Sequence, residues 1–425
     1  MFRAENAQSL VGLAATILIC WALSEQKRKF PWRLTLGALV VQVGLVLMLF
    51  GLPGAQNVIA GINDGVDGLA AATAQGTQFV FGYMGGGAQP YVVANNGALF
   101  VFAFQVLPLI LVISALSALL WHWKILKWIT RGFGFIFQKT MGLGGASALA
   151  VAANIFLGMI ESPIVIRAYL DKLTRSELFL MMVVGLATVA GSTMVAYATI
   201  LKAALPNAAA HVLVASIVSA PAGVLLARIM IPEKDGKGGA YADYTSMLKY
   251  DSSIDAISKG TMDGLTVVLN ISAILIVFVA LVAIGNGLLS NFGDVMGEPL
   301  TLERILGVAF QPLAWAMGVH WDEAYKAGYL LGVKLMLTEF IAFIQLGAIP
   351  EGEMTERTRM IMTYALCGFA NVGSVGITVS GMGVLMPERR NEIIGMVWKA
   401  LIAGFLATCM TAAVVGAMPR ELFGQ

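Results

Sequence analysis

Two glutamates stand in runs apolar enough to lie inside a bilayer: Glu161 in NIFLGMIESPIVI and Glu339 in VKLMLTEFIAFI. An intramembrane carboxylate costs about 2.5–3.5 kcal/mol on insertion scales, so each needs a partner or a polar cavity. Asn154 lies two turns before Glu161 and Pro163 follows it, which suits a helix ending at the glutamate. Thr338 supplies a hydroxyl beside Glu339. Lys334, five residues upstream, is expected to snorkel outward rather than pair with Glu339. Downstream, YALCGFANVGSVGITVSG (364–381) places Asn371, Ser374 and four glycines in the middle of what would otherwise be a span. Polar side chains and easily unwound backbone at that depth are tolerated where they face protein or a water-filled cavity, so this stretch reads as a binding site.

These residues need a membrane scaffold, and the composition supplies one. The chain has 425 residues, is 58% hydrophobic and 12% charged, and has a mean hydropathy of +0.81. By composition it is a polytopic membrane protein, and the spans and hairpins below make the expected fold all-α. A net charge of +2 spread over loops offers no basic patch for nucleic acid. Cys20, Cys367 and Cys409 lie in apolar segments without metal-ligand spacing, and His122, His211 and His320 form no catalytic or metal motif. The first apolar run, around 9–23, lacks a basic n-region and a small-residue cleavage site, so it is expected to be a retained span.

Apolar runs predict spans near 8–24, 34–52, 91–120, 176–201, 208–231, 262–290, 358–383 and 390–417. Between the second and third, Val58, Ile59, Ile62, Val66 and Leu69 recur at helical spacing among polar residues, as in a helix (56–82) lying in the interface. Regions 131–170 and 301–348 are apolar but interrupted, and each is long enough to enter the membrane and return as a hairpin. Lys and Arg favour the cytoplasmic side. Residues 25–33 hold Lys27, Arg28, Lys29 and Arg33, whereas 51–97 hold none. The groups Lys124–Arg131, Arg228–Lys237 and Arg389–Arg390 all fall inside when both interrupted regions are re-entrant. Eight spans, two hairpins and external termini result.

A repeat is visible within this layout. Gly185-Leu-Ala-Thr-Val-Ala-Gly-Ser192 parallels Gly368-Phe-Ala-Asn-Val-Gly-Ser374. Hairpin, broken span and intact span occur in that order at 131–231 and again at 301–417, with opposite orientations from the loop charges. This is the inverted-repeat plan of secondary transporters, which bind solute and ions near the midplane between broken helices. Segments 1–130 (three spans and the interfacial helix) and 232–300 (a linker and the span 262–290) would form the scaffold.

The runs GTQFVFG (76–82), NIFLGMIESP (154–163), PLAWAMGV (312–319), LLGVKLMLTEFIAF (330–343) and YALCGFANVGSVGI (364–377) resemble the concentrative nucleoside transporter family. The resemblance implies a homotrimer of protomers with separate sites, an elevator-type transport domain, and nucleoside uptake driven by a sodium or proton gradient across a bacterial inner membrane. It makes Glu339, Asn371 and Ser374 ribose-binding residues and Phe369 the aromatic that packs on the nucleoside. Of the family's Gln-Thr/Ser-Glu tip only Glu161 is kept, because Met159 and Ile160 occupy the other two positions. Their side chains cannot hydrogen-bond a base edge, so base contacts fall to Glu161, backbone and water, or selectivity shifts between pyrimidines and purines. The family's sodium site matches Asn154, the Leu157 carbonyl, Thr188 and the Val189 carbonyl, hard oxygen donors suited to a small hard cation. Proton coupling, with Glu161 titrating, is the alternative.

Other classes fit less well. A channel would need a continuous polar stripe, whereas polarity here is concentrated in two broken segments. An enzyme using the glutamates as acid and base would want a nucleophile, metal cluster or phosphate loop, and none is apparent. Amino acid transport would call for a positive group facing the carboxylate, and no Arg lies near the centres.

Overall fold

The computed structural model describes residues 4–52, 54–92, 100–159, 161–233, 249–295 and 297–423. Backbone groups in hydrocarbon must pair internally, and apolar runs accordingly fold as helices. The chain opens with α1 (Ala4–Ala22), α2 (Trp32–Phe50) and α3 (Ala55–Phe81), then α4 (Phe102–Gln105) and α5 (Pro108–His122). The first repeat comprises α6 (Ile125–Met141), α7 (Gly145–Leu157), α8 (Glu161–Val165), α9 (Arg175–Ala187), α10 (Gly191–Leu201) and α11 (Ala208–Met230). After α12 (Ser253–Leu289) the same order returns in α13 (Leu302–Ala316), α14 (Trp321–Met336), α15 (Glu339–Ala348), α16 (Glu356–Leu366), α17 (Val372–Leu385) and α18 (Arg390–Gly416). A two-residue antiparallel ladder, Asp294–Val295 with Glu298–Pro299, is the exception to helix among the described residues.

Packing follows the repeat. Within each set the incoming hairpin arm lies on the first half of the broken span, α7 on α9 and α14 on α16. Across the sets the roles exchange: α9 packs on α18 and α16 on α11, while α8 touches α17 and α15 touches α10. α1 packs on α18 and α13, and α2 on α11 and α6, so both early helices lie against the repeats. α5 meets α10 and α6 of the first repeat and also packs along α12. There a Cβ at Gly260 would come within 2.7 Å of Ala118 Cβ, and one at Gly264 within 2.9 Å of Ser114 Cβ. Small residues allow this approach, the usual way of joining helices where lipid and side chain are equally apolar.

Six helices among the described residues are long and apolar enough to cross a membrane: 32–50, 102–122, 175–201, 208–230, 253–292 and 387–416. The expected span at 8–24 appears as α1, whose first turns carry Glu5, Asn6, Gln8 and Ser9. The one expected at 358–383 is split between α16 and α17, each too short to cross alone. The span expected from 91 starts at Phe102, and residues 93–99 lie outside the description, as do Lys234 and Lys237. α12 begins nine residues before the expected 262, because Ser252 caps it by accepting from Asp255 N at 3.1 Å. The interfacial segment 56–82 forms one helix, α3. Of the three histidines, His211 is buried, with its ring nitrogen 3.1 Å from Tyr364 Oη.

Candidate functional site

Both hairpins turn at the same kind of place, and both breaks leave helix ends unpaired. α7 stops at Leu157 because Gly158 takes φ +96°, a conformation L side chains rarely adopt. The tip then lies so close to α9 that a Cβ on Gly185 would come within 2.8 Å of Met159 Cβ. In the second repeat, Thr338 caps α15 by accepting from Ile341 N at 3.4 Å and places Glu339 in the helix's first turn. Glu161 likewise opens α8. Helix N-termini carry partial positive charge, which favours a carboxylate.

These ends meet at a cavity of about 360 Å³, lined by Met159, Glu161, Glu339, Phe369, Asn371 and Ser374. Glu339 is 4% exposed and both of its oxygens are engaged. Tyr197 Oη donates to Oε1 at 2.8 Å and Asn371 Nδ2 donates to Oε2 at 2.8 Å. Asn371 is itself held, because it caps α17 and its Oδ1 accepts from Ser374 N at 2.8 Å. A carboxylate offers about four lone-pair sites, so acceptor capacity is left on Glu339 for a donor in the cavity. The arrangement is a rigid double acceptor at the wall of a solute-sized space. Thr378 touches the other repeat: its hydroxyl donates to Ser374 O at 2.8 Å and its oxygen lies 3.8 Å from Met159 Sδ. Ile160 lies outside the described residues.

A second cluster lies behind the first. Asn154 and Thr188 are each 1% exposed and Val189 is fully buried. Thr188 Oγ1 donates to Val184 O at 2.9 Å and stands 3.5 Å from Asn154 O, so the hydroxyl hydrogen is used and its lone pairs are left. Asn154 Oδ1 is buried without a hydrogen-bond partner. A buried acceptor in that state costs about 1–3 kcal/mol, and an ion would relieve it. Leu157, with its carbonyl in the last turn of α7, borders the cavity between the two clusters. Ser216 on α11 donates to Val189 O at 3.3 Å. Among the described residues no group of three or more His, Cys, Asp or Glu side chains could hold a metal, so the oxygens gathered here are neutral. The two clusters are tied by backbone, since Phe369 N donates to Thr188 O at 3.3 Å.

Residues 11–84 match the family described as Na+ dependent nucleoside transporter N-terminus, 211–416 match its C-terminus, and 103–204 match the nucleoside recognition family Gate. The nucleoside permease NupC of Helicobacter pylori is 36% identical over 414 residues, covering 96% of each chain. The chain belongs to the concentrative nucleoside transporter family. An uncharacterized transporter of Bacillus subtilis, YutK, is 37% identical over 96% of this chain and 98% of its own. The structure of CNTnw in an inward-facing substrate-bound state superposes with a TM-score of 0.87 at 33% identity, covering 97% of each chain.

The geometry of this nucleoside transporter adds residues that sequence patterns did not single out. Tyr197, fully buried, is half of the Glu339 clamp, and its only signal was a hydroxyl-bearing ring in an apolar run. The cavity is also lined by Asp263, Thr266 and Asn270 on one face of α12 and by Ser114 and Ser117 on α5. Spacing of 263, 266 and 270 marks one helical face, but nothing local says which face meets a cavity. Lys334 corrects an expectation. It does not snorkel: it is 0% exposed and donates to Ala365 O and Thr408 Oγ1, each at 2.7 Å. Arm α14 is enclosed by α13, α15 and α16, so no path to water lies within a lysine's reach.

Proposed function

We propose that the protein imports nucleosides such as uridine by symport with sodium, with alternating access of the elevator type. The observation that carries this reading is the Glu339 carboxylate, held by Tyr197 and Asn371 at the wall of the cavity. Vicinal ribose hydroxyls are donors that match two fixed oxygens, and charge-assisted hydrogen bonds are roughly twice as strong as neutral ones. Asn371 and Ser374 complete the sugar subsite, Phe369 supplies apolar area for the nucleoside, and Glu161 with Met159 faces the base. Sodium, the co-transported ion, would be held by Asn154, Thr188 and the carbonyls of Leu157 and Val189. The unpaired Asn154 oxygen and the free Thr188 lone pairs fit a small hard cation. Proton coupling is the second reading, and it rests on Glu161, a titratable group at the cavity wall.

For the moving body we take the two repeats, 131–231 and 301–417, together with α1 and α2, because those helices pack on α11, α13 and α18. This departs from the expected 1–130 scaffold and leaves α3, α5 and α12 as the frame. Contacts from frame to body must then break during transport. The packing of α5 on α10 and of α3 on α11 is such a contact, and so are Lys202–Asp67 at 2.7 Å and Asn63 to Asn207 at 2.9 Å, two solvent-exposed pairs that cost little to release. The frame helix α12 exposes Ile276, Ile284 and Leu288, a face suited to lipid or to neighbouring copies in a homotrimer. We place the protein in a bacterial inner membrane with both termini external.

The test is uptake of radiolabelled uridine into proteoliposomes under separately imposed sodium and proton gradients, with unlabelled nucleosides as competitors. Concentrative uptake under the sodium gradient alone is expected. Uptake that needs only the proton gradient supports the second reading, and no nucleoside uptake under either gradient refutes both.

A further inference from the structure

Each repeat brings two helix C-termini together. In the first, α7 ends at Leu157 against the end of α9 at Ala187; in the second, α14 ends at Met336 against the end of α16 at Leu366. The last four carbonyls of a helix lack intrahelical partners and carry the negative end of its dipole, so both junctions attract a cation. α7, α9 and α16 hold no basic residue in their last turns, whereas α14 holds Lys334.

The two junctions meet this need differently. Asn154 sits three residues before the end of α7 and Lys334 two before the end of α14, so the same part of each arm faces the broken span. At the first junction the arm offers a neutral oxygen, Asn154 Oδ1, which is buried and unpaired. At the second it offers an ammonium. Lys334 Nζ donates to Ala365 O, one of the end carbonyls of α16, and to Thr408 Oγ1 on α18, and it lies 5.4 Å from the centroid of the Phe405 ring. The hydrogen bonds and the ring solvate a charge that is 0% exposed. Glu339, five residues along the same hairpin, is a carboxylate nearly as deeply buried. Without Lys334 the second repeat would hold a negative charge and two negative helix ends in apolar surroundings.

We propose that the Lys334 ammonium is the built-in cation of the second repeat, a positioning residue that holds the α16–α17 break and balances Glu339 from the place a dissociable cation takes in the first repeat; that last equivalence rests on the cation reading of Asn154 and Thr188. The two repeats are then chemically unequal at equivalent points. One half carries its positive charge permanently and grips the sugar, and the other must recruit its charge from solution in every cycle.

The experiment uses the purified full-length protein in nanodiscs and compares Lys334→Met, Glu339→Gln and the double variant with the parent. Melting temperature and uridine affinity are measured in sodium chloride and in choline chloride. Lys334→Met is expected to lower the melting temperature by about 5–10 °C, because it strands a buried carboxylate, and to weaken uridine binding by about tenfold or more. The neutral pair Lys334→Met/Glu339→Gln is expected to regain most of the lost melting temperature without regaining affinity. Stabilisation by sodium over choline is expected to persist in Lys334→Met, since its site is in the other repeat. Where Lys334→Met yields no folded protein, recovery of folded protein by the double variant scores the charge pairing in the same direction. Equal melting temperatures for Lys334→Met and the double variant, failure of both to fold, unchanged uridine affinity in Lys334→Met, or loss of its sodium response would each overturn the proposal. A parent without a sodium response overturns the cation reading of the first repeat and the equivalence drawn from it, while the recovery in choline still decides whether Lys334 balances Glu339.

Discussion

Replacing Glu339 by Gln separates sugar recognition from folding. The glutamine keeps one acceptor oxygen, which can face Asn371 Nδ2, and turns its amide toward Tyr197 Oη, which can accept as well as donate. Both native neighbours therefore stay paired, and Lys334 keeps its two acceptors, Ala365 O and Thr408 Oγ1. The fold loses less than in Lys334→Met, because the ammonium left without its balancing carboxylate still has two hydrogen-bond acceptors and two helix C-termini facing it. The bound nucleoside loses more, because one of the two oxygens facing the cavity becomes a donor and the other loses its charge. Hydrogen bonds to charged groups contribute about 1.5–3 kcal/mol against 0.5–1.5 for neutral ones, so weakening two by about 1 kcal/mol each gives about 2 kcal/mol. That is a factor of about 30 in dissociation constant. Uridine titrated calorimetrically into purified protein, with the melting temperature taken on the same samples, measures both quantities. An unchanged affinity, or a melting temperature that falls as sharply as the affinity, would refute the assignment of Glu339 to the sugar.

Thr188→Val removes a hydroxyl from the second cluster and should raise the sodium concentration for half-maximal uridine uptake by about tenfold or more. Full uptake when choline replaces sodium at a constant proton gradient would count against the cation site. Met159→Gln combined with Ile160→Thr should change the ranking of pyrimidine over purine competitors in the same vesicles; an unchanged ranking would remove the tip from base selection. Outside the membrane, Glu25 is partly buried, which raises its carboxyl, but Lys399 at 3.1 Å and Arg175 at 2.9 Å outweigh this and hold it below its ordinary value. Its contribution to stability is therefore complete above the ordinary carboxylate range and is lost as pH falls through the lowered value. The parent should melt above Glu25→Gln at pH 7, and the gap should close in acid; a gap independent of pH would exclude this ion cluster as its source.

Much of the architecture was legible because the membrane punishes exceptions. A glycine and a polar residue every few positions at 185–192 and 364–381 had to mean broken helices, and α9–α10 and α16–α17 break there. Glutamates in apolar runs had to sit at turns, and Glu161 and Glu339 open α8 and α15. What stayed hidden was partnership. Apolarity reads the same whether a helix meets lipid or another helix, so nothing local showed that α1 and α2 lie on the repeats, or that Tyr197 reaches Glu339 across 142 residues of sequence. Lys334 was misread for a related reason: a lysine near a helix end usually reaches water, and only the surrounding helices show that this one cannot.

The hydrogen bond from Phe369 N to Thr188 O has a thermodynamic consequence. It joins a peptide group of the α16–α17 break to one of the α9–α10 break, so in the symport proposed above, ordering either segment lowers the entropy left to lose in ordering the other. Whatever factor the ion adds to the solute's affinity, the solute must return to the ion's. In a sodium symporter of this design the linkage would favour the fully loaded carrier over the partly loaded one, and so work against slippage, the futile passage of one passenger without its companion.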